Sequence, residues 1–224
     1  MGSTTYSWRA CEPPSSRPSE RYGRGSRGAR RAWSLYTASD DGDRFARSRG
    51  FERARVDRIS AVDPRTFTEP LPEIAGFRAV SLAEVRDRPR DIFELEVEVV
   101  ADIPLTEPFA LDYDEWLRDD WTQPSFDFEL GTVVLRGEQA AAFAQVRADR
   151  ESGRADNSFT ATRRELRGRG LATLAKMRSL RAAAAAEIMS ITTANDERNA
   201  PMLAVNRRLG YQPVGSRAEW CREL

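Results

Sequence analysis

The chain has 224 residues, 40% of them hydrophobic, which is enough for one sizeable core and allows one or two domains. It contains no histidine, so Ser-His and Cys-His nucleophiles are excluded, and its two cysteines, Cys11 and Cys221, predict neither a disulfide framework nor a metal site. The formal net charge is zero, but the charges are unevenly distributed along the chain. Residues 61–130 hold 18 acidic residues against six arginines, while both flanking segments carry an excess of arginine.

Residues 1–31 are rich in Ser, Arg, Gly and Pro without helical or strand periodicity, and we predict a disordered tail. A basic nucleic-acid-binding arm is the alternative, but aromatic residues are not regularly interleaved, so we expect no nucleic acid partner. No apolar run approaches the ~18 residues of a membrane span. The N-terminus lacks the apolar stretch of a signal peptide, so a cytoplasmic protein without a membrane partner is expected.

Residues 32–68 read as a short ordered segment followed by a linker. We predict a strand at 33–37, a helix at 44–49 that ends at Gly50, and a strand from Phe51. Pro64, Pro70 and Pro72 mark the linker to the next domain.

Residues 69–224 are predicted to form one α/β or α+β domain with a mixed sheet, because strand and helix patterns alternate. The predicted strands are 77–80, 131–135, 141–147, 157–162, 187–193, 211–214 and 218–221. The predicted helices are two acid-rich segments, 90–100 and 113–121, an Ala-rich helix at 170–186, and a last helix at 199–209.

The sharpest motif is Arg167-Gly168-Arg169-Gly170-Leu171-Ala172, between a predicted strand and the Ala-rich helix. Its small residues let backbone approach a ligand closely, and the N–H groups and positive end of the helix dipole attract an anion such as a pyrophosphate. An ordinary helix start is the alternative interpretation.

The last helix carries a second motif. Met202, Val205 and Leu209 are spaced to face a core, with Gly210 after the helix end. This amphipathic pattern leaves Asn199 and Asn206 unexplained, although they lie on one side of the helix.

The segment from residue 157 to Tyr211 resembles the GNAT acyltransferases. The resemblance lies in the order of its parts: the Arg-x-x-Gly-x-Ala loop, the long helix, a strand and then Asn-x-x-Met-x-x-x-Asn-x-x-Leu-Gly-Tyr. The resemblance implies a mixed, mostly antiparallel sheet whose fourth and fifth strands splay apart around the pantetheine arm of acetyl-CoA. It also implies three groups of contacts to that co-substrate: backbone at Thr160, Ala161 and Thr162 on pantetheine, the loop of Arg167, Gly168, Arg169, Gly170, Leu171 and Ala172 on the pyrophosphate, and Asn199 on pantetheine from the other side.

The same resemblance implies direct attack of an amine on the thioester, in a ternary complex and without a metal. Asp156, at the start of the predicted fourth strand, resembles the carboxylate base of some members, and a solvated turn residue is the alternative. Asn206 stands where many members have a tyrosine acid, so the usual proton donor to the leaving thiolate is absent.

A weak internal repeat relates the two ends of the chain. Residues 34–41 and 190–197 share four identical positions, and Arg49-Gly50-Phe51 parallels Leu209-Gly210-Tyr211. We therefore interpret residues 32–68 as the truncated remnant of an upstream GNAT-like copy plus linker, docked on the other domain or on its counterpart in a homodimer.

The leading hypothesis is an acetyl-CoA-dependent N-acetyltransferase. The acid-rich segment at 91–129 would attract a small cationic amine as acceptor, although a merely solvated acidic face remains the alternative. The second hypothesis is a non-catalytic acyl-CoA-binding or protein-interaction module derived from a GNAT domain, which the missing tyrosine favours.

Overall fold

A computed structural model describes residues 31–102 and 111–223, so the predicted tail lies almost wholly outside the described residues. The described strands are β1 (Arg31–Thr37), β2 (Glu52–Val62), β3 (Arg78–Ser81), β4 (Thr132–Arg136), β5 (Gln139–Asp149), β6 (Arg154–Thr162), β7 (Ser190–Asp196) and β8 (Gln212–Glu223). The described helices are α1 (Asp40–Ser48), α2 (Pro89–Val100), α3 (Tyr113–Trp116), α4 (Leu171–Ala185) and α5 (Ala200–Arg208).

The described chain forms two compact units, one of residues 31–56 with 216–223 and one of residues 57–215. The division into these units runs through the extended strands β2 and β8, each of which contributes residues to both units. The domain boundary between residues 68 and 69 stays a prediction.

The smaller unit is a strand, a helix and two further strand segments. β1 pairs antiparallel with β8, from Arg31 opposite Glu223 to Thr37 opposite Arg217, and β8 lies between β1 and β2. Helix α1 begins four residues earlier than predicted, because Ser39 Oγ accepts a hydrogen bond from the Gly42 N–H and so caps the first turn. The side chain of Trp220 is fully buried against Ala46 and Ala218.

The two predicted closing strands are wrong, because the structure has the single strand β8 in their place. Strand β8 contains Pro213 and Gly215, two residue types that are uncommon in strands. A glycine can stay extended in a strand, however, and proline is tolerated near a strand's first residue, so the run continues through both.

The larger unit holds the predicted mixed sheet. Its strand order is β2 (from Asp57), β7, β6, β5, β4, β3, and the described pairs are antiparallel except for the parallel pair β6–β7. The two faces separate by strand alternation: Phe143 packs with residues of α2 and α3, whereas its neighbours Ala142 and Ala144 pack with residues of α4. The prediction of a mostly antiparallel sheet flanked by helices is confirmed.

The predicted helix at 113–121 is only partly α-helical. After α3 the chain makes a π-helical turn over Leu117–Trp121. That turn places residues five apart on one side, and the indole rings of Trp116 and Trp121 stack with their centroids 5.3 Å apart. None of the helices in residues 31–102 and 111–223 combines the length and apolarity needed to cross a membrane.

Candidate functional site

Strands β6 and β7 separate soon after they begin to pair. Only three parallel pairs join them, Arg154 with Ser190, Ala155 with Ile191 and Asp156 with Thr192. β6 nevertheless continues to Thr162 and β7 to Asp196. Beyond these pairs the carbonyl oxygen of Asn157 still accepts a hydrogen bond from Thr193 Oγ1 of β7, at 3.1 Å. The edge of β6 that faces β7 has no strand partner over residues 158–162, and we call this V-shaped gap the β6/β7 cleft. The splay between the fourth and fifth strands of the predicted domain is present.

A β-bulge in β6 starts this divergence. In the pairing with β5, Asp156 lies opposite Arg147, and Phe159 lies opposite Gln145, so β6 holds one extra residue between these pairs. The extra residue falls at Asn157 and Ser158. A bulge bends its strand and increases the local twist, which carries β6 away from β7 just beyond their last pair.

The side chain of Asn157 ties the bulge together. Its amide nitrogen donates to the carbonyl oxygens of Gln145, at 2.7 Å, and of Phe159, at 3.3 Å. Its oxygen Oδ1 accepts from Thr160 Oγ1 at 3.1 Å and from the ammonium of Lys176 on α4. Asn157 is buried, so these bonds are shielded from competition by water.

Asp156 occupies the vertex of the β6/β7 cleft. It is the third residue of β6 rather than part of a turn, so the solvated-turn alternative is wrong. Its carboxylate is half-buried and accepts a hydrogen bond from Thr192 Oγ1 at 2.9 Å. Since its neighbour Ala155 packs with Met177 of α4, alternation places Asp156 on the opposite face, beside α2 and α3. Its role as a base stays a prediction.

The loop before α4 is open to a ligand. Gly170 is the N-cap of α4 with a φ of 79°, and it provides no side-chain hydrogen bond to the first turn. Gly168 has a φ of 78°, and a Cβ built there would meet no atom within 4 Å. Arg169 is exposed, while Leu171 is buried and anchors the helix start, with Ala172 half-buried after it. The glycines therefore serve the backbone conformation and leave room over the N–H groups of α4.

The side chain of Arg167 is engaged within the protein. Its Nη2 donates to Asp102 at 2.6 Å, and Arg164 binds the same carboxylate. These hydrogen bonds lower the pKa of Asp102 to about 2, and the one from Arg164 has the largest effect. Arg167 thus helps to hold the loop, and its backbone stays at the mouth of the cleft.

Two polar atoms on β6 have no partner in the described structure. Ser158 Oγ and Thr162 Oγ1 are buried without a hydrogen bond, although buried hydroxyls are nearly always satisfied. Both belong to the stretch of β6 that β7 leaves unpaired, which also contains Thr160 and the buried Ala161. A ligand with amide groups, such as pantetheine, fits a strand edge of this kind.

The structure does not bring Asn199 and Asn206 to one site. Asn199 is exposed, and its Oδ1 caps α5 by accepting from the Met202 N–H at 3.2 Å. Asn206 is 2% exposed and donates to Asn195 Oδ1 at 2.6 Å, while its own Oδ1 is unpartnered. An amide carries no acidic proton near neutral pH, so Asn206 cannot act as the general acid.

A buried acidic network on the α2/α3 face was missed from the sequence. Glu96 of α2 accepts from Trp116 Nε1 at 3.0 Å, and burial, aided by the charge of Asp120, raises the pKa of Glu96 to about 8. Asp120 accepts from Gln145 Nε2 at 2.6 Å and from Arg147, and burial raises the pKa of Asp120 against the effect of Arg147. We call Glu96, Asp120, Gln145 and Arg147 the acidic network.

The sequence signal for Glu96 was its place in the core stripe of α2, one turn after Ile92 and beside Leu95, where a charged residue is unexpected. Lys176 gave a similar signal, because it is the chain's one lysine and lies between apolar residues of α4. Lys176 is 2% exposed, its Nζ lies 5.0 Å from the centroid of the Tyr211 ring, and burial lowers its pKa to about 7.

Within the described ranges, no group of three or more His, Cys, Asp or Glu side chains is arranged to hold a metal ion. Along the cleft, the described residues offer the peptide groups of a strand edge, a helix N-terminus without a side-chain cap and one half-buried carboxylate.

Comparison with known proteins gives likeness in structure alone: no protein-family model and no curated protein matches the sequence. The chain is similar to a GCN5-related N-acetyltransferase from Sphaerobacter thermophilus, with a TM-score of 0.70 and 18% identity over 86% of this chain and 59% of that one. It is also similar to a tandem GNAT protein from the clavulanic acid biosynthesis pathway, with a TM-score of 0.62 and 22% identity over 86% and 63% of the two chains. A GCN5-related N-acetyltransferase from Kribbella flavida gives a TM-score of 0.58 at 17% identity. The chain thus spans about three fifths of the length of the first two proteins.

Proposed function

We propose that this chain, which has the fold of the GNAT N-acetyltransferases, is an acyl-CoA-dependent N-acyltransferase. The reaction proposed is acetyl transfer from acetyl-CoA to the primary amine of a small cationic acceptor. One observation carries the proposal: the β6/β7 cleft opens beside a glycine loop and the uncapped N-terminus of α4.

The cleft and loop fit the two halves of an acyl-CoA. The unpaired edge of β6, with the unpartnered hydroxyls of Ser158 and Thr162, would bind the amides of the pantetheine arm. Backbone N–H groups between Gly168 and Ala172 would bind the pyrophosphate at the positive end of α4. The structure of the tandem GNAT protein similar to this chain is described as being without AcCoA, and we propose acetyl-CoA as the co-substrate of this chain.

The reaction needs no covalent enzyme intermediate. Asp156 would take a proton from the acceptor's ammonium group, and the free amine nitrogen would attack the thioester carbonyl. A backbone N–H on the unpaired stretch of β6 would stabilise the oxyanion. As the C–N bond forms the C–S bond breaks, and the thiolate leaves. Because a thiol has a pKa of about 8.5, solvent can return its proton without the tyrosine that Asn206 replaces.

The acceptor's charge is inferred from the α2/α3 face. Asp156 and the acidic network lie on this face of the sheet, and exposed acidic residues lie on or beside α3, namely Asp112, Asp114, Glu115 and Asp119. Arg118 pairs with Asp119 and its charge also acts on Glu115 and Asp112, so one arginine only partly offsets these four acidic residues. A surface of this sign raises the local concentration of cations, so di- and polyamines and amino sugars are the acceptor classes we propose.

A screen of amines with acetyl-CoA, read as free thiol release, tests the proposal. Turnover with one or more cationic amines and none with acidic amines is the expected result. Acetyl-CoA binding without turnover of any amine would instead support the non-catalytic acyl-CoA-binding module, which the lack of an acidic proton on Asn206 favours. Absence of acetyl-CoA binding in calorimetry would overturn both functions.

A further inference from the structure

We propose that Lys176 is a positioning residue whose ammonium group holds the β6 bulge in place and thereby keeps the β6/β7 cleft open for the acyl-CoA. The inference rests on the function proposed for the cleft. Lys176 lies behind the sheet on α4 and would not touch the reacting atoms, so its effect would be transmitted through Asn157.

The contacts make one continuous link from α4 to the free strand edge. The Lys176 ammonium donates to Asn157 Oδ1, which also accepts from Thr160 Oγ1. The amide nitrogen of Asn157 donates to carbonyl oxygens on both sides of the bulge, at Gln145 of β5 and at Phe159 of β6. Lys176 therefore fixes the orientation of the amide that spans the extra residue.

A lysine at this position is costly for folding. Burying an ammonium group removes its hydration, and the core face of α4 would accept methionine or leucine at similar volume. The ring of Tyr211 lies beside Lys176, and the charge of Asp156, acting from the other face of the sheet, favours the charged form of Lys176. The Lys176 charge is thus favoured by a nearby carboxylate and an aromatic ring without a direct salt bridge among the described residues, as expected for a group kept for positioning.

The bulge matters because it sets the register of everything after it. Without the extra residue at Asn157 and Ser158, the rest of β6 would shift by one position relative to β5, and its side chains would change faces. Thr160 and Thr162 would then exchange places with Phe159 and Ala161, and the unpaired edge would no longer present the same peptide groups. A substitution of Lys176 leaves the extra residue in the chain but removes the hydrogen bond that orients the Asn157 amide, so the bulge is held less firmly and acyl-CoA binding should weaken.

The first experiment compares Lys176→Met with Ser179→Ala. Ser179 is the matched control, because it is a buried polar residue of the same helix whose hydroxyl bonds Thr132 on β4 and makes no contact with the bulge. Calorimetry with acetyl-CoA should show Kd raised at least tenfold in Lys176→Met and less than threefold in Ser179→Ala. The melting temperature of Lys176→Met should equal or exceed that of the wild type, since a buried charge is removed.

Wild-type affinity in Lys176→Met, while the wild type binds acetyl-CoA, would overturn this inference and leave the proposed function intact. If the wild type fails to bind acetyl-CoA, the proposed function falls and the inference with it. A loss of affinity accompanied by a lower melting temperature would show a merely structural role and would also overturn the inference.

The second experiment needs no variant. Lys176, with its pKa lowered by burial to about 7, loses its proton between pH 6 and 8.5, and a neutral amine makes a weaker hydrogen bond than a charged one. Kd for S-acetyl dephospho-CoA, which lacks the titrating 3′-phosphate, should rise roughly three- to tenfold over this range. Glu96 also titrates there, so the rise must persist in Glu96→Gln. A Kd independent of pH would overturn the inference.

Discussion

Two buried ionisable residues on opposite faces of the sheet respond to pH in opposite senses. Burial raises the pKa of Glu96 to about 8 and lowers that of Lys176 to about 7, so both pKa values lie near neutral pH. Asp156 lies in the sheet between them, on the Glu96 face, and its charge raises the pKa of Lys176. At the residue scale the candidate site is defined by which of these groups carries a proton.

Asp156→Asn is expected to lower turnover by about 10²-fold or more, because the amide cannot take the proton from the acceptor ammonium. The amide oxygen can still accept from Thr192, so acetyl-CoA affinity should stay close to that of the wild type. Thiol release measures the first effect and calorimetry the second. Asp149→Asn, at the exposed end of β5, is the control and should keep full activity. Unchanged turnover in Asp156→Asn would assign the base role to another group.

Glu96→Gln is expected to stabilise the fold at pH 8 and to change little at pH 5. The folded state keeps Glu96 protonated while the unfolded chain ionises it above pH 4.5, so this residue's contribution to stability is lost as the pH rises from about 4.5 to 8. The shift corresponds to about 5 kcal/mol at most. Glutamine stays neutral and can still accept from Trp116. Chemical unfolding at both pH values measures the difference in the free energy of unfolding between Glu96→Gln and the wild type. The same difference at pH 5 and pH 8 would contradict the pKa shift.

At the scale of single elements, the cleft depends on where β6 stops pairing and on how α4 starts. The bulge at Asn157 ends the pairing with β7, and Gly170 begins α4 without a capping side chain. The bulge leaves a strand edge unpaired, and the glycine start of α4 leaves helix N–H groups without a capping side chain. Both leave backbone groups available at neighbouring points of one fold, which suits a long ligand with amide and phosphate groups.

Gly170→Asp is expected to abolish acetyl-CoA binding. Aspartate would bring a negative charge to the proposed pyrophosphate site, and its side chain would cap the N–H groups that the phosphate needs. Gly137→Asp is the matched control, because Gly137 in the β4–β5 turn also has a positive φ, of 60°, and open space around it. Calorimetry should show wild-type affinity for Gly137→Asp. Retained affinity in Gly170→Asp would remove the loop from the site.

At the scale of the whole molecule, the two ends of the chain repeat a pattern. In each, a helix is followed by a glycine of positive φ, Gly50 after α1 and Gly210 after α5. β1 pairs with β8, and β7 pairs with β2, so the first strand of each segment pairs with the closing strand of the other. The identification of residues 32–68 as a truncated copy stays a prediction. If it is correct, the two copies are joined by exchanged strands, and removal of the first copy would take a strand from the sheet of the second.

Deletion of residues 1–64 is expected to lower the melting temperature or to cause aggregation. It would remove Asp57–Val62 of β2 from the sheet and leave β7 with an unpaired edge, which is a site for association with other chains. Deletion of residues 1–30 is the control and should leave the melting temperature nearly unchanged. Differential scanning calorimetry with light scattering measures both, and equal behaviour of the two truncations would contradict this role of β2.

Much of the element order could be read from the sequence, because local periodicity and glycine positions carry it. The strand and helix around Gly168 and Gly170 were predicted within a few residues of their observed bounds. Pairing between distant segments left no such local mark. The continuous strand β8 could not be inferred from spacing, since it depends on pairing with β1, which lies far away in the chain.

The sequence by itself determined the fold class and the glycine loop, because both depend on short-range pattern and backbone conformation. Tertiary structure alone decided the chemistry of the charged residues. The sequence shows Glu96 and Lys176 as charged residues among apolar ones and Asp156 as a candidate base, but only burial and the groups packed around them shift a pKa, lock a bulge or put a carboxylate at the vertex of the cleft. Desolvation and Coulomb interactions act between residues that are close in space, whatever their separation along the chain.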